Sequence, residues 1–255
     1  MDARRLPARH GLLWLLGGFA LFRRHPPMMT ALTFGYLLTV IVVNLIPKIG
    51  PLVLPLLLPA LTVVLANGCR AVEQGREFSS EILGAGIMAR RVGLLRLGGL
   101  HLLGSSLLVL GASLLGEPVN LSDGLSTEEL AALMTDMAVI LVLASPLLMA
   151  FWFAPLLTAW DGAGALKSLF FSFVASWRNL QAFAIYGLAI VVIGALIPGL
   201  ILIVAAQISG SLLTILNVAL RMLLVFVLAP TMVASVNPWA FSVLPMPRLS
   251  KVMHR

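Results

Sequence analysis

The chain has 255 residues, 60% of them apolar and 11% charged, with a formal net charge of +7. Soluble domains carry about 45–50% apolar and about 25% charged residues, so this chain has too few polar groups to cover the surface of a soluble fold. The basic residues gather at the ends of apolar runs, which is the pattern of membrane flanks and not of a nucleic-acid surface, and the single Cys69 excludes an intrachain disulfide or a multi-cysteine metal site.

Arg4, Arg5 and Arg9 precede the apolar run Gly11 to Phe22, an order that imitates a signal peptide. Arg23-Arg24-His25-Pro26 stands where a small-residue cleavage site would be needed, so the segment is read as retained. It is too short to span, and Leu12, Trp14, Leu15, Leu16, Phe19 and Phe22 fit an interfacial helix at about 10–24. Pro26-Pro27 opens the first span, about 28–46, since proline is tolerated in a first helical turn. Ile46-Pro47-Lys48-Ile49-Gly50-Pro51 reads as a tight turn. A second span returns over about 52–69, with Pro55 and Pro59 placed to face protein and to kink it.

The same phrase then recurs. Phe78, Ile82 and Ala85 share one face of a second amphipathic segment, about 77–90, followed by Arg90-Arg91 and a third span, about 92–115. Gly116 to Glu129 is the only long polar connection, with Ser126 and Glu129 spaced as a capping box for the helix that follows. The fourth span, about 132–160, contains Pro146 and Pro155. A third amphipathic segment, about 164–178, carries Leu166, Leu169, Phe170, Phe173, Val174 and Trp177 on one helical stripe. Such a stripe belongs on a membrane surface or against the bundle. Lys167, Arg178 and the bend allowed by Gly162-Ala163-Gly164 favour the surface. The fifth and sixth spans cover about 180–203 and 212–236, and 237–255 forms a tail.

The fold class expected is therefore all-α integral membrane, six helices in three parallel hairpin repeats, each preceded by an amphipathic helix on the cytoplasmic side. Internal matches support the repeat: Pro59-Ala-Leu-Thr, Pro155-Leu-Leu-Thr and Pro230-Thr-Met-Val fall at comparable depth, and Tyr36 and Tyr186 precede Ile46-Pro47 and Ile197-Pro198 at similar intervals. On this topology all but Lys48 and Arg221 of the 17 Lys and Arg lie on one side, while Glu117, Asp123, Glu128 and Glu129 lie on the other. The positive-inside rule then places both termini in the cytoplasm of a bacterial inner membrane. Arg23, Arg24, Arg90, Arg91, Lys167 and Arg178 form a basic rim that would attract anionic lipid headgroups.

Arg221 is the most pointed single residue, because a charge inside a span is costly and marks a substrate or ion path, a structural pair or a snorkelling side chain. Asp136, near the far end of the fourth span, is its candidate partner, and Asn217 lies one turn before it on the same face. Asn44 and Asn67 are further polar groups able to join helices. His101, alone in the third span, reads as packing before it reads as a ligand, since no second His or Cys has metal-site spacing. Asp161 is placed to cap the helix after Gly162-Ala163-Gly164. No catalytic, cofactor-binding or metal-ligand pattern is present.

Phe153-Ala-Pro-Leu-Leu-Thr-Ala-Trp160, Ser172 through Phe183, Tyr186-Gly187-Leu188, and the opening Trp14 to Phe19 with Phe22-Arg-Arg-His-Pro26 resemble uncharacterised six-span inner-membrane proteins of Gram-negative bacteria, common in betaproteobacteria. These are distantly similar to YciC-like proteins and to the membrane domain attached to some glycerophosphodiester phosphodiesterases. The resemblance covers roughly residues 8 to 236 and implies fold; it carries over no catalytic residue. The tail, with Pro238, Pro245 and Pro247, departs from the ending expected of the family. The functional expectation is a non-catalytic membrane protein that organises lipids or serves as an accessory or scaffold subunit of a larger membrane complex. The alternative is a transporter or channel for a small or lipidic substrate.

Overall fold

A backbone crossing hydrocarbon must satisfy its own N–H and C=O groups, and every regular element among the described residues is a helix. The computed structural model describes residues 4–113 and 127–235. The connection 114–126, with Glu117, Asp123 and the expected cap Ser126, and the tail 236–255 lie outside the described residues. In chain order the helices are α1 (His10–Arg24), α2 (Pro26–Asn44), α3 (Gly50–Glu73), α4 (Ser80–Leu83), α5 (Arg91–Ser113), α6 (Thr127–Trp152), α7 (Ala154–Asp161), α8 (Ala165–Arg178), α9 (Leu180–Ile208) and α10 (Gly210–Ala234). Six stretches are long and apolar enough to cross a membrane: α2, α3, α5, the α6–α7 run Ala131–Asp161, α9 and α10. The shortest has 19 residues, or roughly 29 Å at about 1.5 Å per residue, which matches a hydrocarbon core of about 30 Å.

Prolines shape the returning helices in three different ways. α3 runs unbroken through Pro55 and Pro59. The fourth span breaks at Phe153, two residues before Pro155. There the Ser172 hydroxyl accepts from the Phe153 N–H at 2.9 Å and donates to the Met149 carbonyl at 2.8 Å. A side-chain oxygen thus occupies the place of the direct bond from residue 153 to residue 149, an insertion that kinks helices. In α9 and α10 the helix widens into π turns, Val192–Leu196 and Leu224–Leu228, just ahead of Pro198 and Pro230. A proline ring crowds the carbonyl four residues earlier, here Gly194 and Phe226, and both lie inside the widened turns. Ile197-Pro198 therefore sits within a helix, whereas Ile46-Pro47 makes the turn between α2 and α3. The sequence similarity of those two dipeptides does not extend to their structural roles.

The core is concentrated at the end of the bundle where α1, α4 and α8 lie. One cluster joins Trp14, Val63, Leu97, Phe153, Leu156, Leu157 and Tyr186, and a second joins Phe22, Met29, Leu65, Cys69, Val72 and Ala234. Phe183 ties the first together, with ring centroids 5.0 Å from Trp14, 5.3 Å from Trp152 and 6.0 Å from Phe153. Toward the other end, Leu38, Leu107, Val142, Leu200 and Ile215 are exposed, as expected of side chains bathed in lipid. α1 wedges between the start of α9 and the end of α10. Glycine makes that approach possible: a Cβ on Gly11 would strike the Ala182 carbonyl, and one on Gly18 would lie 2.5 Å from the Thr231 carbonyl.

The second amphipathic segment differs from expectation. In place of a helix over 77–90 there is a single helical turn, Ser80–Leu83, followed by turns through Arg90. Ser79 caps it by accepting from the Ile82 N–H at 3.2 Å. Gly84 ends it, Gly86 has φ +79°, and the carbonyls of Leu83 and Ala85 are taken by the Asn67 side chain, at 3.0 Å each.

Candidate functional site

Two groups of residues were singled out for function, and the structure treats them differently. Of the intramembrane polar residues, Arg221 is exposed on α10 and Asn217 is half-buried one turn before it. Asp136 is half-buried on α6, a helix not packed against α10, and no ion pair joins it to Arg221 among the described residues. The His101 ring packs edge-on against Phe151 with centroids 4.8 Å apart, and its Nδ1 has no hydrogen-bond partner. Among the described residues no group of three or more His, Cys, Asp or Glu could hold a metal ion. Asn44 bonds only the Val40 carbonyl of its own helix, at 2.9 Å. Asp161 is the last residue of α7. Gly162, at φ +67°, caps that helix, and α8 begins at Ala165 with Gly164 as its N-cap residue and no side-chain cap, so the expected capping role is not taken.

The basic candidates, by contrast, collect at the core-bearing end. Arg23, Arg24, Arg90, Arg91, Lys167 and Arg178 are all exposed there. Arg23 lies 5.8 Å from the Phe19 ring and Lys167 5.9 Å from the Phe171 ring. Arg90 folds over Gly162, where a side chain would displace its guanidinium. Arg70 stacks on Trp160 at 4.8 Å.

Beneath this basic layer, side-chain clamps hold the segments together; Asn67 was marked in the sequence as a polar group able to join helices, whereas Asn179 and the serines of α8 were not marked as clamps. Asn67 donates to α4 and the turn after it while accepting from the Trp160 indole N–H at 3.0 Å. Asn179 accepts from the Leu6 N–H and donates to the Arg4 and Ala175 carbonyls, at 2.8 Å each. On α8 the buried face is Ala165, Ser168, Ser172, Ala175 and Ser176. Ser168 accepts from the Thr158 hydroxyl at 2.8 Å, and Ser176 donates to the Met149 carbonyl at 3.2 Å. The apolar stripe turns outward, with Leu166, Phe170 and Trp177 exposed. The serine spacing of four residues was visible in the sequence, and it is the signal that marks this face.

Among the described residues the arrangement brings together no group of three or more acids, His or Cys. What it offers is a band of cations over exposed apolar side chains, on a bundle of six membrane-length helices. That defines the class: a polytopic α-helical membrane protein. The chain is 36% identical to a protein of Burkholderia thailandensis named as a probable inner membrane protein, with 74% of each chain covered. It belongs to that family and is a multi-pass inner membrane protein. No family model matches the chain, and no solved structure matches it significantly.

Proposed function

We propose that the protein is a non-catalytic inner-membrane protein that gathers anionic phospholipids around its basic end, which faces the cytoplasm. The observation that carries this reading is the coincidence of three features at that end: the exposed cations Arg23, Arg24, Arg90, Arg91, Lys167 and Arg178, the exposed apolar faces of α1 and α8, and the buried core beneath them. Each Lys or Arg near an anionic surface contributes about 1 kcal/mol of attraction, and exposed residues such as Leu16, Phe19, Phe170 and Trp177 would seat both helices at the headgroup boundary. The amphipathic helices α1 and α8 and the threefold repeat belong to this proposal: Arg23-Arg24, Arg90-Arg91 and Lys167 with Arg178 bring three hairpins to one lipid surface. A role as an accessory subunit of a larger complex fits the same surface.

The test is the lipid that accompanies the protein through extraction in mild detergent. Anionic lipid should be enriched over its share of the source membrane. Lipid in the same ratio as the bulk membrane would sink the reading. The two π turns favour a second reading, transport of a small or lipidic substrate, because such turns often mark functional positions. They face each other across the α9–α10 hairpin, where a Cβ on Gly194 would lie 3.1 Å from Leu228. That reading requires Arg221, one turn before the second π turn, to be reached by water from a cavity between the hairpins. A cysteine placed there and found inert to water-soluble thiol reagents would exclude it.

A further inference from the structure

Between α5 and the start of α8 runs an open groove of about 760 Å³. Arg96, Leu100 and Leu103 line one wall, and Gly164, Leu166 and Lys167 the other. Arg96 belongs to the basic side of the topology, near the start of α5. It lies on the same face of α5 as Leu100 and Leu103, one and two turns further along. The groove therefore passes from two cations into apolar wall within the length of a short acyl segment. Both cations are exposed and neither forms an ion pair among the described residues; Lys167 meets only the Phe171 ring. The first turn of α8 borders the same groove with no side-chain cap, so its N–H groups add to the positive potential that the two side chains create.

We propose that this groove is a binding site for one anionic glycerophospholipid drawn from the surrounding bilayer, with its phosphate between Arg96 and Lys167 and an acyl chain along Leu100 and Leu103. Charge complementarity selects the anionic headgroup, and the polar-to-apolar gradient along α5 selects an amphiphile over a free anion. The proposal deepens the lipid-gathering reading and rests on it: the rim would concentrate anionic lipid and the groove would hold one molecule in a fixed place.

The experiment is native mass spectrometry of the full chain released from mild detergent, titrated with phosphatidylglycerol or phosphatidylcholine. Wild type should retain one tightly held phosphatidylglycerol and should discriminate against phosphatidylcholine. The double variant Arg96→Gln/Lys167→Gln should weaken that first association roughly thirtyfold, the effect of removing two headgroup-level charges. Leu103→Trp, which fills the apolar half without touching charge, should weaken it as well. Arg23→Gln/Arg24→Gln, outside the groove, should leave the first lipid in place. The proposal is overturned if the groove variants bind the first lipid as wild type does, or if millimolar inorganic phosphate displaces it as readily as added lipid. A wild type with no preference for anionic lipid would instead overturn the broader reading, so the two failures are separable.

Discussion

Asn67, Asn44 and Arg221 are all polar residues on membrane-length helices, yet their surroundings assign them three different roles. Asn67 is buried and joins two backbone carbonyls to the Trp160 indole. Truncation orphans three groups, and at about 1 kcal/mol for each Asn67→Ala should lower stability by about 2–3 kcal/mol. Asn44→Ala should change it by less than about 0.5 kcal/mol, since Asn44 is exposed and bonds only within α2. The protein carries its own reporter: Cys69 is its single cysteine and is fully buried, its thiol 3.4 Å from the Val233 carbonyl. A fluorogenic thiol reagent therefore reads unfolding directly on heating. Arg221→Leu should leave the unfolding midpoint unchanged or raise it, because an exposed arginine in a span is costly and Leu is not. A fall equivalent to more than about 1 kcal/mol would reveal a partner for the guanidinium. Of these residues the sequence could mark only their polarity at membrane depth. It could not separate clamp from bystander, because that depends on which carbonyls, from segments 16 and 18 residues away, end up within reach.

At the scale of elements, the long helices were readable because apolar runs of membrane length have few alternatives in lipid. Among the described residues α3 continues to Glu73 and α9 to Ile208, past the expected ends at 69 and 203. The short elements were harder. Hydrophobic periodicity marks the stripe of α8 but does not by itself say which face packs, since lipid is as apolar as a protein core and helices in membranes approach through small and polar residues. The serines of α8 turn inward for that reason. The 77–90 segment failed as a helix because Gly84 and Gly86 interrupt it and Asn67 supplies the hydrogen bonds that a helical ladder would have supplied. Two changes test the docking of these elements. Ser172→Ala removes the hydroxyl bridging Phe153 and Met149 and should cost about 1–3 kcal/mol in the thiol assay. Gly18→Val should force α1 off Thr231 and Ser235, at about 1–3 kcal/mol for an overpacked contact. That raises local opening roughly tenfold, so trypsin should cut after Arg23 and Arg24 about tenfold faster. Gly35→Val, with no heavy atom within 4 Å of the new Cβ, should be cut at the wild-type rate.

For the whole molecule, the uneven core and the uneven charge coincide. The end that holds Trp14, Cys69, Phe153 and Phe183 together also carries the exposed arginines, and the described residues toward the opposite end are mainly exposed aliphatic side chains. A protein whose core is packed mainly at its charged end leaves the exposed aliphatic side chains of its helices to meet lipid over the rest of their described length. This makes orientation the decisive global property. If the positive-inside rule governs the chain, the basic end is cytoplasmic and the α2–α3 turn at Leu45–Ile49 is periplasmic. Lys48 in that turn, at φ +64°, is a lone cation against the many on the other side and does not reverse the bias. Because Cys69 is buried, single cysteines can be added to the natural chain without background. Ile49→Cys, exposed in the turn, should react with a membrane-impermeant maleimide in cells with a permeabilised outer membrane. Arg24→Cys should react only once the inner membrane is opened. The reverse pattern would place the basic rim in the periplasm and remove the anionic cytoplasmic leaflet from the account of what this end binds.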